Sequence, residues 1–196
     1  MTDFYDKNAA NFFNATVEVD MSPLYEKFLP LLPEGSHILD AGCGSGRDAL
    51  YFLKHGYEVT AFDASQALCE LASAHIAQHV HCLSFNEIPW QNHFDAAWAC
   101  ASLLHLTLKQ LPKAMQRLIS SLKVDSVMYC SFKSGNCERD DNGRHFTDLN
   151  EERFQELIAQ IKHAEVIDLW MTDDRRPGRE NEKWLNAILK KSAPHK

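Results

Sequence analysis

The sequence carries its strongest chemical signal in Asp40-Ala41-Gly42-Cys43-Gly44-Ser45-Gly46, where three glycines alternate behind an acid. A glycine in such a turn permits positive φ and lets the backbone lie against a ligand with no Cβ between them. Asp63 follows 21 positions after Gly42. A carboxylate there can accept hydrogen bonds from both hydroxyls of a ribose. A glycine loop and an acid at this spacing read as a site for an adenosine-type ligand.

Two details narrow the ligand. The dinucleotide fingerprint G-x-G-x-x-G/A needs a small third residue for close helix packing, and Arg47 occupies that position. Asp40 would repel a pyrophosphate but attract a cationic amine. A ligand with an adenosine end and an amino-acid end satisfies both.

The elements that must hold these residues follow from the pattern around them. His37 to Asp40 is a short apolar run ending at the glycines. Arg47 to His55 has helical spacing, with Ala49, Leu50, Phe52 and Leu53 on one face and Gly56 as its C-terminal stop. Glu58 to Phe62 is a second strand, and Ser65 can cap a helix to about Ile76. Further strands are predicted at 81–85, 94–100 and 126–132, with an amphipathic helix over 108–122. Asp148 or Asn150 starts a helix over 151–161. Strands at 166–171 and 184–189 close the sequence, with no helix between them.

Strand-helix alternation implies parallel neighbours joined by crossovers. The last two strands, joined by the polar stretch 172–183, are expected to pair antiparallel. The fold class is therefore α/β, a Rossmann-like doubly wound sheet, mostly parallel with an antiparallel last strand, and helices on both faces. One domain is expected, divided into an N-terminal helical cap (1–34), a cofactor-binding half (35–135) and a substrate-side half (136–196).

The stretch Asp40 to Gly46 resembles motif I of class I S-adenosylmethionine-dependent methyltransferases, and Phe62-Asp63-Ala64-Ser65 resembles their acidic second motif. Phe94 to Trp98 with Leu103-Leu104-His105 is similar to their fourth strand and the turn after it, and 118–132 to their fifth strand with its preceding helix. The segment 42–49 also resembles small bacterial methyltransferases of the tellurite-resistance-related type. The resemblance implies S-adenosyl-L-methionine as cofactor. It places Asp40, Gly42, Cys43, Gly44, Gly46 and Arg47 at the methionine end. Asp63 and Ala64 fall at the ribose, Ser84 and Phe85 by the adenine, and Ala99 and Ala101 under the methionine chain. One departure is Lys123-Val124-Asp125-Ser126, where the family usually has a Pro-Gly-Gly turn.

The acceptor is less legible. Tyr5 and Phe12-Phe13 lie in a helix-like segment that either covers the cofactor or only docks on the sheet. His105 is a candidate substrate contact or a structural histidine. Arg175, Arg176 and Arg179 form a cationic connector able to clamp a carboxylate or phosphate, or a solvated loop. Lys133, Arg144 and His145, on a loop over the same sheet edge, are candidates for that work too. No catalytic base is identified. Cys43 and Cys100 fall near the pocket with no base beside them, so a nucleophilic cysteine is not expected.

Bulk properties set the limits. The 196 residues carry a formal net charge of −7, with 45% hydrophobic and 24% charged residues. Broad binding to nucleic acid or to anionic membranes is therefore not expected. The turn Ala101-Ser102-Leu103-Leu104 lacks the Asn/Asp-Pro-Pro-Tyr/Phe of exocyclic-amine methylation, and no Pro-Cys pair marks a cytosine-C5 nucleophile. A small-molecule acceptor is expected rather than DNA, with RNA or protein acceptors left open and the chain a monomer or homodimer. Six scattered cysteines and ten histidines show no metal-ligand spacing, and a cytoplasmic, membrane-free protein is expected. Alternatives are a non-catalytic protein that binds S-adenosylmethionine or S-adenosylhomocysteine, and a nucleotide-dependent oxidoreductase.

Overall fold

In the computed structural model, residues 2–176, 178–179 and 181–193 are described. The first parallel block runs β1 (His37–Ala41), α3 (Arg47–Lys54), β2 (Glu58–Asp63), α4 (Gln66–Ile76), β3 (Val80–Cys82), β4 (Phe94–Ala99), α5 (Leu111–Ser121) and β5 (Leu122–Lys133). Two helices precede it, α1 (Thr2–Thr16) and α2 (Ser22–Phe28). A hairpin β6 (Glu138–Asp141) and β7 (Arg144–Thr147), then α6 (Glu151–Ile158), β8 (Ala164–Asp173) and β9 (Lys183–Lys191) complete it.

Seven strands form one sheet in the order β3-β2-β1-β4-β5-β9-β8. The pairs among β1 to β5 are parallel, and β9 is antiparallel to both β5 and β8. The predicted doubly wound sheet with its antiparallel last strand is the observed fold. The chain reverses its direction of winding between β1 and β4. In open α/β sheets ligands bind beyond the carboxyl ends of the strands at that switch point.

Both faces of the sheet are covered. On one, Leu111, Met115 and Leu118 of α5 and Phe154 of α6 meet Met128 and Phe132 of β5. On the other, Phe28, Phe52 and Ala72 from α2, α3 and α4 pack on Ile38, Ala61 and Trp98. The apolar stripe expected on 108–122 is thus a core stripe, and the helix starts later than the pattern predicts because Pro112 favours the first turn. Ser65 caps α4 by accepting from the Leu68 amide, and Asn150 caps α6 by accepting from Arg153.

Three expectations need correction. The third strand pairs only over 80–82, because Glu87 accepts from both the amide and the hydroxyl of Ser84 and turns the chain out of the sheet. For the same reason no α-helix links β3 to β4, so the alternation is not strict. The stretch 131–146, expected as a loop, contains the β6–β7 hairpin. Asn142 and Gly143 both have positive φ (50° and 77°) in its two-residue turn. Where the family usually has a glycine turn, Asp125 adopts φ 66° and ion-pairs with Lys190 at 2.7 Å. Asp tolerates that left-handed conformation better than most residues.

Candidate functional site

The loop after β1 is built from backbone hydrogen bonds. The amides of Gly42 and Cys43 both donate to the Phe62 carbonyl, at 2.8 and 3.0 Å. Gly42 has φ 75°, and a Cβ there would stand 2.5 Å from Cβ of Ser102. Its bareness lets the β1 loop and the β4 turn approach. Ser102 fixes that approach by donating to the Ala41 carbonyl at 2.7 Å. Asp63 ends β2 and accepts from the Gly44 amide at 3.0 Å and the Ser65 amide at 2.9 Å. Burial nonetheless raises its proton affinity, against the lowering effect of those amides.

Behind the loop sits a buried ionic cluster. Arg47 donates to both oxygens of Asp48, at 2.6 and 2.9 Å, while Trp98 Nε1 donates to Asp48 at 2.8 Å and the Tyr25 hydroxyl donates as well. Burial would raise Asp48, but Arg47 and these donors hold it below the usual carboxylate range. Sequence reasoning found Arg47 and missed Asp48, Tyr25 and Trp98. The adjacent Arg-Asp pair was a signal for the second, whereas nothing in sequence ties Tyr25 or Trp98 to it.

Helix α1 covers the loop. The Phe12 ring would lie 3.0 Å from a Cβ on Gly44, and Phe13 meets His75 of α4 edge to face. Asp6 accepts from the Ser65 hydroxyl at 2.6 Å, tying the helix to the start of α4. The segment therefore packs over the glycine loop and against α4. At the far end of α1, the Tyr5 hydroxyl stands 2.7 Å from His105 Nε2, and His105 Nδ1 stands 2.8 Å from the His145 carbonyl. His105 is pushed down to about 4, chiefly by burial.

These parts line one continuous cavity of about 1590 Å³. Single-ligand pockets run about 300–1,000 Å³, so the space accommodates two molecules. Gly42, Cys43, Gly44, Arg47, Asp63, Ala64, Ser84, Phe85 and Ala101 line it, and so do Tyr5, His105, Lys133, Arg144, Arg175, Arg176 and Arg179. Asp40, Gly46 and Ala99 are not on its wall. Asp40 is 2% exposed beneath the loop, with Oδ2 buried and unpartnered. Burial and the neighbouring Asp48 charge raise it well above the usual range. Gly46 instead faces Ile76 and Ala72 of α4.

Most cations at the outer end have acidic partners. Arg175 pairs with Asp20 of the α1–α2 connection at 3.1 Å, Arg176 with the buried Asp174, and both Lys133 and Arg179 with Glu182. Arg139 pairs with Asp148 at 2.9 Å. Arg144 differs. Its nearest acid is Asp141 at 3.9 Å, its guanidinium lies 5.0 Å from the Phe146 ring centre, and its Nε is buried without a hydrogen-bond partner. The thiols of Cys43 and Cys100 are pushed up by burial, Cys100 to about 12, which leaves neither a thiolate nucleophile at neutral pH. Among the described residues no cluster of three or more acids, histidines or cysteines could hold a metal, and no helix is long and apolar enough to cross a membrane.

Residues 38–125 match a family described as a methyltransferase domain. Over 64 residues, 32% of this chain, the sequence is 42% identical to malonyl-[acyl-carrier protein] O-methyltransferase of Salmonella typhimurium (strain LT2). Over 32 residues, 16% of the chain, it is 62% identical to the S-adenosyl-L-methionine-dependent Diels-Alderase iccD of Talaromyces variabilis. These segments span only 26% and 11% of the two relatives' lengths. Among solved structures, the 1,6-didemethyltoxoflavin-N1-methyltransferase of Burkholderia thailandensis, with bound 1,6-didemethyltoxoflavin and S-adenosylhomocysteine, superposes with a TM-score of 0.81 at 22% identity. The match covers 98% of this chain and 87% of that one.

Proposed function

We propose that the chain is a class I S-adenosylmethionine-dependent methyltransferase, with S-adenosylmethionine as its cofactor, that transfers a methyl group to a small molecule; the matched methyltransferase domain and the shared fold support this reading. The observation that carries this reading is one continuous cavity lined both by the glycine loop and Asp63 and by Tyr5, His105 and Arg144.

The residues present fit the cofactor. The backbone at Gly42 and Gly44 is bare, Asp63 stands on the wall, and Arg47 is held rigidly beside them by Asp48. In this reading Asp63 accepts from the ribose hydroxyls, Ser84 and Phe85 border the adenine, and Ala64 lies at the ribose. Arg47, Cys43 and the glycine backbone hold the amino-acid end, with Ala101 under its chain. Asp40 lies buried beneath the loop, where burial and the Asp48 charge favour its neutral form, so it supports the loop from below and does not act on it as a charge. When bound, S-adenosylmethionine supplies an electrophilic methyl and a neutral leaving group. The protein's work is then orientation and exclusion of water. Phe12 and α1 close the cofactor end, while the β6–β7 hairpin and the β8–β9 connector wall the acceptor end.

Several features support a small acceptor. The cavity is covered by α1, the chain is acidic, and the Burkholderia relative holds 1,6-didemethyltoxoflavin. The chain is read as one domain, with cap 1–34, cofactor half 35–135 and substrate-side half 136–196. The test is transfer of label from methyl-labelled S-adenosylmethionine to the low-molecular-weight fraction of a cell extract, with S-adenosylhomocysteine released in step. Label arriving only in RNA or protein would sink the small-molecule reading.

A second reading is favoured by one observation: the relative with 62% identity across its matched segment is a Diels-Alderase. A loop shared with such a protein does not by itself require methyl transfer. Tight cofactor binding with no label transferred to any fraction would favour that reading, or a purely sensory one.

A further inference from the structure

The pair Tyr5–His105 joins α1 to the turn after β4 on the wall of the cavity. A carbonyl oxygen only accepts, so the 2.8 Å contact of Nδ1 with the His145 carbonyl puts the ring proton on Nδ1. Nε2 therefore carries a lone pair, and the Tyr5 hydroxyl donates to it. Burial raises Tyr5, which keeps it a phenol and a donor. A lone pair aimed into the cavity is thus occupied by a group on the element that covers it.

Resting on the methyltransferase reading, we propose that His105 is the catalytic residue that receives the acceptor's proton on Nε2, with Tyr5 holding that nitrogen until the acceptor displaces it, and that the acceptor offers an O–H or heteroaromatic N–H rather than an alkylammonium. The balance is simple. The acceptor's lone pair forms the new bond to the methyl carbon as the sulfur–methyl bond breaks and leaves its pair on sulfur. The acceptor's proton passes to Nε2, and the imidazolium then releases it to solvent.

The surroundings decide the acceptor class. The groups facing His105 are Tyr5 from α1, Lys133 from β5, and Arg144 with His145 from β7. Arg144, whose side chain also engages the Tyr5 hydroxyl while its Nε is partnerless and its ion-paired acid, Asp141, stands at 3.9 Å, opposes a cationic acceptor and suits an anionic or carbonyl oxygen. A histidine pushed down to about 4, first by burial and further by Arg144, stays neutral at physiological pH. So weak a base does not strip an alkylammonium beforehand. It does suffice for an O–H or N–H that becomes strongly acidic as the methyl arrives.

The test uses the full chain loaded with S-adenosylhomocysteine and labelled with ¹⁵N in its imidazoles. At pH 7 His105 should be neutral with the proton on Nδ1, it should titrate below pH 5, and Tyr5→Phe should shift the Nε2 resonance toward that of a free lone pair. A proton on Nε2, or titration at an ordinary imidazole pH, would overturn the proposal whether or not an acceptor is known. With S-adenosylmethionine, phenols and heteroaromatic N–H compounds should be methylated and alkylamines should not. His105→Gln should then lower kcat by about a hundredfold or more while leaving S-adenosylhomocysteine affinity unchanged. Methylated amines, or a His105→Gln kcat within about threefold of wild type, would overturn the base. Failure of the wild type to bind S-adenosylhomocysteine would instead mark failure of the cofactor reading.

Discussion

The two ends of the cavity are built by different physics. At the cofactor end, backbone amides, bare glycines and one buried ion cluster, all from β1, β2, β4 and the helices packed on them, fix the shape. At the outer part, charged side chains from β5, the α1–α2 connection and the β8–β9 connector meet in ion pairs, most of them partly exposed. The first arrangement is rigid. The second can be re-paired with few substitutions, which suits an end that sets acceptor choice.

The largest expected effect separates the two ends by burial. Asp48→Asn leaves the Arg47 guanidinium inside without its counter-charge, and should cost about 3–5 kcal/mol of stability in denaturant unfolding. Arg175→Met, which removes the exposed pair with Asp20, should cost no more than about 1 kcal/mol in the same assay. Equal costs would mean that the buried cluster is not what holds the cofactor end.

Glycines sharpen the contrast at a smaller scale. Gly42→Ala combines positive φ with a clash against Ser102, and should cost about 3 kcal/mol and displace the β4 turn. Gly143→Ala in the hairpin turn shares the positive φ but meets only Phe4 at 3.7 Å, so about 1 kcal/mol is expected. A Gly42→Ala protein as stable as Gly143→Ala would show that the loop and the β4 turn need not touch.

A further contrast is one of pH. Asp174 is buried, which opposes ionisation, but Arg176 and Trp184 Nε1 bring it down to about 2. A depressed acid stabilises the fold above its unfolded value and loses that contribution as pH falls through its folded one. The stability difference between wild type and Asp174→Asn should therefore be constant from pH 7 to about 4 and shrink towards pH 2. Chemical unfolding across that range measures it. A difference that grows on acidification would contradict the pairing.

How much could be read from sequence follows the same division. The glycine loop, Asp63 at the end of β2 and the mostly parallel sheet with its antiparallel last strand are legible because backbone chemistry and strand periodicity are written locally, whereas the strand order is not. Asp40 was placed on the site by its charge, yet its side chain points beneath the loop, because β1 buries it between sheet and helix. The hairpin was missed although Asn142-Gly143 is a strong turn signal, since Glu138-Arg139-Asp140-Asp141 lacks the alternation of a strand. Tyr5 meeting His105, and Arg175 meeting Asp20, join positions 100 and 155 residues apart. No local pattern encodes such contacts.

The central claim is tested most directly by calorimetric titration of the wild type and Asp63→Ala with S-adenosylmethionine, S-adenosylhomocysteine and NADH. The wild type should bind the first two and not the third, and Asp63→Ala should lose about 1–3 kcal/mol of affinity for both. Binding of NADH in their place, or of none of the three, would contradict the account, and an unchanged Asp63→Ala affinity would remove Asp63 from the ribose.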